Sequence, residues 1–319
     1  MFAVCIEASH QRGLGHLFRA LNLVGCFRRN QVSHIVLVND DPTAAAILRE
    51  RQVPWETVPL RDHFSGWEKA LIGKHGIRIW INDRLDTDLG HASAVKACGA
   101  KLVTFDDRGS GAAAADLHIA ALAFEGLDGL RGHKVLHGTA YLVLSPEIEK
   151  YKRLRTRLAS IVVSMGGTDT YGVTVKAVET LRRLGTAATV ILGPGFQHRK
   201  LLSDALSPAF VVKEHVPSLA EEFSRHDLAI TGGGLTAFEA NAAGLPSLII
   251  ANEWFEVPAA QYLERLGSSV FVGHYSVLEE TRPGFRVPEP LGIESMSRAG
   301  LERLPKDGLE NVYRELQRL

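Results

Sequence analysis

Three glycine-rich segments punctuate this chain, and each sets proton-handling or anion-binding side chains beside backbone that can approach a ligand closely. In Gly13-Leu-Gly-His-Leu-Phe-Arg19, Gly13 and Gly15 allow a tight turn, His16 can exchange a proton, and Arg19 follows one helical turn later. Without function, the same residues are a turn and a capping histidine. In Met165-Gly-Gly-Thr-Asp169, Gly166 and Gly167 can line a diphosphate while Thr168 offers a hydroxyl. Asp169 serves either that site or the cap of the next helix. The strongest of the three is Thr231-Gly-Gly-Gly-Leu-Thr-Ala-Phe-Glu-Ala240. There Gly233 and Gly234, with Thr236, form a phosphate cradle at a helix start, and Glu239 can meet a sugar or ribose hydroxyl or remain a surface carboxylate. The first segment lacks the third glycine of a dinucleotide fingerprint, which argues against NAD.

Such turns bind ligands at the ends of parallel strands, and the surrounding pattern supplies those strands. In the first half, apolar runs at residues 2–7, 32–38, 77–81, 101–105 and 117–119 alternate with helical periodicity at 17–26, 43–51 and 92–98. Residues 141–144 close that half, and the charged stretch 146–157 is the crossover. The second half repeats the rhythm, with strands at 161–164, 189–192, 210–212, 227–230, 247–250 and 269–272. Its helices fall at 173–184, 219–224, 235–243 and 259–266, followed by a turn-rich stretch at 283–290 and a last helix at 308–319. Repeated βαβ units require helices on both faces of an open sheet. The expected fold is therefore α/β, with two Rossmann-like domains and an interdomain cleft. Residues 1–150 form an N-terminal sugar-binding and catalytic domain and 151–319 a C-terminal nucleotide-binding domain, the last helix packing back on the former.

Composition narrows the classes. Lys plus Arg and Asp plus Glu balance at 36 each, which argues against a nucleic-acid surface or polybasic membrane patch. Cys5, Cys26 and Cys98 are few, distant and odd in number, so reduced thiols in a cytoplasmic protein are expected rather than a disulfide framework. The chain starts on an apolar strand without a basic leader, and no stretch reaches transmembrane length. The histidines show no His-Glu-x-x-His pattern, and neither metal nor cofactor is expected.

Taken together, the motifs resemble the GT-B superfamily, especially the UDP-sugar hydrolases of pseudaminic acid biosynthesis and their MurG-like relatives. Residues 13–19 are similar to that family's Gly-x-Gly-His-x-x-Arg, with His16 at the catalytic histidine position. Residues 164–169 are similar to Ser-x-Gly-Gly-x-Asp, 232–240 to Gly-Gly-Gly-x-Thr-x-x-Glu-Ala, and 244–246 to Gly-x-Pro. Asp106-Asp107 resembles a pair of carboxylates after an N-domain strand. The chain departs in lacking a tyrosine within Asn82-Asp-Arg-Leu-Asp86, and in carrying Asn252-Glu-Trp-Phe-Glu-Val-Pro258 where the family has an Asn-Gln pair.

The resemblance implies a GT-B fold and hydrolysis of a nucleotide-activated amino sugar, UDP-linked, to nucleoside diphosphate and free sugar. That activity belongs to nonulosonic acid or surface-glycan biosynthesis, beside a partner enzyme of the pathway. His16 would activate water, and Asp83 or Asp107 would tune the histidine or hold sugar hydroxyls. Arg19 and the amides near Gly166, Gly167, Gly233 and Gly234 would stabilise the departing diphosphate. Two other readings use the same pocket. One is a glycosyltransferase with another acceptor; the second is a noncatalytic nucleotide-sugar-binding partner protein, motivated by the missing tyrosine and Asn-Gln pair.

Overall fold

The computed structural model describes residues 1–11, 13–62, 65–214, 216–277 and 290–319. The chain divides into two compact units, Met1–Val143 with Pro305–Leu319, and Leu144–Leu304.

In the first unit, β1 (Phe2–Ile6), β2 (His34–Val38), β3 (Trp55–Thr57), β4 (Ile79–Asp83), β5 (Lys101–Phe105), β6 (Leu117–Ala120) and β7 (Val135–His137) build one sheet. All pairs are parallel, in the order β3-β2-β1-β4-β5-β6-β7. Strands β1 and β4 are buried from end to end, because helices cover both faces. Their residues therefore read as continuous apolar runs rather than alternating ones. Helix α1 (Gly15–Arg29) buries Leu17, Ala20, Leu23, Val24 and Phe27 at three- and four-residue spacing. Its last turn ends in Arg28 and Arg29, which suit the negative end of the helix dipole. Asp41 caps α2 (Pro42–Glu50) by accepting the Ala44 amide at 2.8 Å, and Pro42 tolerates the first turn because its missing N–H is not needed there. Helices α3 (Trp67–His75) and α4 (Leu89–Ala97) cover the face where Trp67, Trp80, Ile72, Ala92 and Val95 form one apolar cluster.

The second unit holds a six-stranded parallel sheet, ordered β10-β9-β8-β11-β12-β13. These strands are β8 (Ile161–Ser164), β9 (Ala188–Ile191), β10 (Phe210–Lys213), β11 (Leu228–Thr231), β12 (Ser247–Ala251) and β13 (Ser269–His274). They alternate with α6 (Val173–Arg183), α7 (Arg199–Ala205), α8 (Leu219–Ser224), α9 (Leu235–Ala242), α10 (Val257–Leu266) and α11 (Pro290–Arg303), after the single-turn α5 (Ile148–Tyr151). Arg155 is fully buried and donates to backbone carbonyls of Phe223 (2.8 Å), Arg153 (2.7 Å), His226 (3.2 Å) and Ala243. It thereby satisfies carbonyls left over at the ends of α8 and α9. Burial, reinforced by Arg153, pulls its guanidinium down to about 9, with Asp227 opposing.

The last helix, α12 (Gly308–Gln317), belongs to the first unit. Val312 and Leu316 are fully buried there, Tyr313 packs on Phe27 with ring centroids 6.3 Å apart, and the Asn311 amide donates to Ala140 O at 2.9 Å.

Periodicity does not mark β3, β7, α3, α7 or α11. Strands β3 and β7 are three-residue edges with half-exposed side chains, too short and polar to register. The turn-rich reading of 283–290 lies outside the described residues except at Pro290, which opens α11. The described helices include none long and apolar enough to cross a membrane.

Candidate active site

Each sheet is parallel, so within each unit the loops following its strands gather at that sheet's carboxyl edge, where ligands bind in such folds. In the first unit, the chain leaving β1 is held by Asn39, whose side chain accepts from Ala8 N and donates to Ala8 O, both at 2.8 Å. Gly13 donates its amide to Ser9 O at 2.9 Å and takes a φ of 79°, a conformation that favours glycine. This turn delivers the chain to the start of α1.

His16 and Arg19 then lie one turn apart and converge on Asp83, the last residue of β4. His16 Nδ1 stands 2.7 Å from Asp83 Oδ1. Arg19 Nε donates to Asp83 Oδ2 at 2.7 Å, Nη2 donates to Asp83 Oδ1, and Nη1 donates to Asp106 Oδ2. Its guanidinium also sits 5.0 Å from the Phe105 ring centroid. Burial would raise the Asp83 carboxyl, but Arg19 and His16 outweigh that and hold it down to about 2. Arg19 is raised in return: burial opposes its charge, and the two aspartates overcome that opposition.

These charges fix a tautomer. Asp83 is ionised and accepts only, so the proton between it and His16 sits on Nδ1. A neutral His16 then carries its lone pair on Nε2, which has no partner among the described residues. The side chain is 12 % exposed, while Asp83 is 0 % exposed, so the base reaches solvent and its orienting carboxylate does not.

Three residues therefore take different partners from those the sequence suggests. Arg19 is 3 % exposed and turned onto carboxylates, so it holds Asp83 rather than presenting a free cation to a diphosphate. Asp107 does not bond His16; its Oδ1 accepts the amides of Thr87 (3.1 Å) and Gly109 (2.8 Å). Burial pushes its carboxyl up, partly offset by those hydrogen bonds. The carboxylate that joins the cluster is Asp106, at φ 47°, with Oδ1 accepting from Leu122 N at 2.8 Å. The adjacent aspartates are a visible signal, but which one faces Arg19 goes with that backbone conformation.

In the second unit, Gly166 leaves β8 at φ 88°, and a Cβ placed on it would stand 3.9 Å from Thr236 Oγ1. Gly166 and Thr236 are thus neighbours at the sheet edge. Gly167 O accepts the Gly195 amide at 2.8 Å, and any side chain at Gly193 would collide with Gly166 O and Gly167 O. Thr168 is buried, with Oγ1 3.4 Å from Thr170 Oγ1. Asp169 caps α6, its two oxygens accepting from Val173 N (2.8 Å) and Thr174 N (2.9 Å).

The Gly233 amide is already engaged. It donates to Glu256 Oε2 at 3.2 Å, and Asn252 N donates to the same oxygen at 2.7 Å. Gly234 lies alongside, a Cβ placed on it standing 3.3 Å from Glu256 Oε1. Sequence reasoning does not find Glu256, which lies 23 residues from Gly233 with no motif joining them. Glu239 accepts from Ser145 N at 3.1 Å; burial, eased by that bond and reinforced by Glu147, pushes its carboxyl up to about 7.

Comparisons with known proteins support this architecture. No protein-family model matches the chain. An uncharacterized protein of Methanocaldococcus jannaschii is 25% identical over 301 residues, covering 87% of this chain; the chain spans 60% of that relative's length. Acinetobacter baumannii MurG superimposes with a TM-score of 0.65 at 14% identity, covering 100% of this chain and 99% of MurG. A UDP-GlcNAc 2-epimerase from Neisseria meningitidis, solved bound to UDP-GlcNAc, gives 0.62 at 12% identity and covers 100% of both chains. A glycosyltransferase from Rickettsia africae gives 0.61 at 12% identity, covering 99% of this chain and 97% of its own. The chain has the GT-B fold of two Rossmann-like α/β domains.

The expected hydrolysis to free sugar is corrected by these matches, which include a glycosyltransferase and a UDP-sugar epimerase rather than free-sugar-releasing hydrolases. The physical reason is that glycine turns and a histidine base serve any reaction at a nucleotide-linked anomeric centre. They do not specify water as the acceptor.

Proposed function

We propose that the chain is a glycosyltransferase that uses a nucleotide-sugar donor, UDP-linked in the first instance. The supporting observation is the contact of His16 Nδ1 with Asp83 at 2.7 Å, the carboxyl held down to about 2. It leaves Nε2 of a neutral imidazole as a base for an acceptor hydroxyl. The acceptor oxygen attacks the anomeric carbon as His16 takes its proton, and the bond to the diphosphate breaks, releasing nucleoside diphosphate. Arg19 acts by positioning Asp83. Within the second unit, the glycine turns offer backbone amides suited to a diphosphate. The Neisseria epimerase and Rickettsia glycosyltransferase, whose fold this chain shares, support a nucleotide-sugar ligand. Reduced thiols at the three cysteines suit a cytoplasmic site of action.

The test is product mass after incubation with UDP-, dTDP-, GDP- and CMP-sugars, with and without a panel of hydroxyl acceptors. Acceptor-dependent release of nucleoside diphosphate with a new glycoside is expected. Interconversion of the donor into its epimer without an acceptor would replace transfer by epimerisation. His16→Ala should lower turnover about a hundredfold or more while donor binding persists; undiminished turnover would remove His16 from the chemistry.

A further inference from the structure

The 3₁₀ turn after β12 carries a carboxylate into the glycine cradle. Glu256 Oε2 accepts from Gly233 N, after β11, and from Asn252 N, after β12, at 3.2 and 2.7 Å. Two amides from neighbouring strand ends thus converge on one carboxyl oxygen; burial pushes this carboxyl up, and the backbone hydrogen bonds from Asn252, Gly233 and Glu253 oppose that. The approach is close throughout: a Cβ on Gly233 would come within 2.7 Å of Glu256 Cβ. No basic side chain accompanies the carboxylate in these bonds; both donors are backbone amides. The chemistry these amides offer is what a phosphate oxygen takes, and only one anion can take it at a time.

We infer that Glu256 is a built-in competitor of the donor diphosphate: its carboxylate fills the Gly233–Asn252 amide pair in the unliganded chain and must swing out before a phosphate oxygen can enter. This deepens the nucleotide-sugar reading and rests on it for the natural ligand, while the exchange of anions depends only on the amide pair. Glu256→Gln removes the repulsion toward the incoming diphosphate and weakens the competing acceptor, and Glu256→Ala removes the acceptor altogether. The expected gain is about tenfold in affinity, the size of one charge-assisted hydrogen bond.

The movement has a reporter. Glu256 shares its turn with Trp254, which is 66 % exposed and stacks on His274 with ring centroids 4.1 Å apart at 10°. Trp254 is the one tryptophan in the second unit, since Trp55, Trp67 and Trp80 lie in the first. Displacing Glu256 shifts the turn and changes the stack.

The experiment titrates pyrophosphate and UDP separately into the wild type, Glu256→Gln and Glu256→Ala, following calorimetry and tryptophan emission, with Trp254→Phe as the control. Both Glu256 variants should bind each probe about tenfold more tightly. Ligand should change wild-type emission, the change should vanish in Trp254→Phe, and the unliganded Glu256 variants should already emit like the liganded wild type. Equal or weaker pyrophosphate binding by both variants overturns the inference, because the carboxylate would then be building the site rather than blocking it. Tighter pyrophosphate binding without UDP binding upholds the competitor and instead counts against the nucleotide-sugar reading. Pyrophosphate binding to none of the proteins also overturns the inference.

Discussion

At His16, a single hydrogen bond decides which nitrogen can act as base, and that bond depends on the charge of Asp83. Asp83→Asn removes the obligatory acceptor and frees the imidazole to adopt either tautomer, so turnover should fall about a hundredfold with donor affinity little changed. Asp106→Asn should cost less, about tenfold in kcat, because it loosens Arg19 rather than the histidine itself. The same carboxyl leaves a mark on stability. It is held at about 2 against an ordinary 3.8, so its contribution is complete above pH 4 and is lost as pH falls toward 2. Urea unfolding should show about 2 kcal/mol disappearing across that window in the wild type and not in Asp83→Asn. His16 was legible from its glycine turn at a helix start, and Asp83 because it follows a recognisable apolar run. Asp106 was not separable from Asp107, since both are held in the structure and a positive φ goes with the one that meets Arg19. Glu256 was invisible for another reason: its partner is a backbone amide brought near only by strand pairing of β11 with β12.

Among the elements, the central strands were readable because burial on both faces demands unbroken apolar sequence. Helix α6 was equally plain, with Val173, Val178 and Leu181 on its buried face and Asp169 at its start. Edge strands carry too little burial to leave such a trace. On α9, Glu239 is held at about 7 against an ordinary 4.5, so the native state favours its neutral form. Its contribution to stability is full below pH 4.5 and is lost as pH rises through 7. Glu239→Gln should therefore match the wild type near pH 4 and exceed it by about 3 kcal/mol at pH 8 in chemical denaturation. If Glu239 accepts from a ribose hydroxyl, wild-type UDP affinity should rise through pH 7 while that of the variant stays flat. Arg155 ties α8 to α9 through carbonyls alone. Arg155→Met should cost the second unit about 1–2 kcal/mol, read from Trp254 emission during unfolding, because the tie is lost while Phe223 O, His226 O and Ala243 O keep other donors.

For the whole molecule, the first unit is assembled from both ends of the chain. Deleting residues 305–319 strips away Val312 and Leu316, each fully buried and worth roughly 1.5–3 kcal/mol. The loss should appear in the first unit, reported by Trp67 and Trp80, while Trp254 unfolds near its wild-type denaturant midpoint. A shift of Trp254 alone would show that α12 supports the second unit instead. Two Rossmann-like halves were evident from the repeated βαβ rhythm; the reaction was not, because the acceptor leaves no periodic signature.

The return of α12 also sets an order of events during synthesis. Residues 1–143 wait for residues 305–319, whereas residues 144–304 can fold as soon as they clear the exit tunnel. A nascent chain stalled before residue 305 would expose Phe27 and its neighbours to chaperones, and synthesis of residues 305–319 would be the step that closes the earlier-made half.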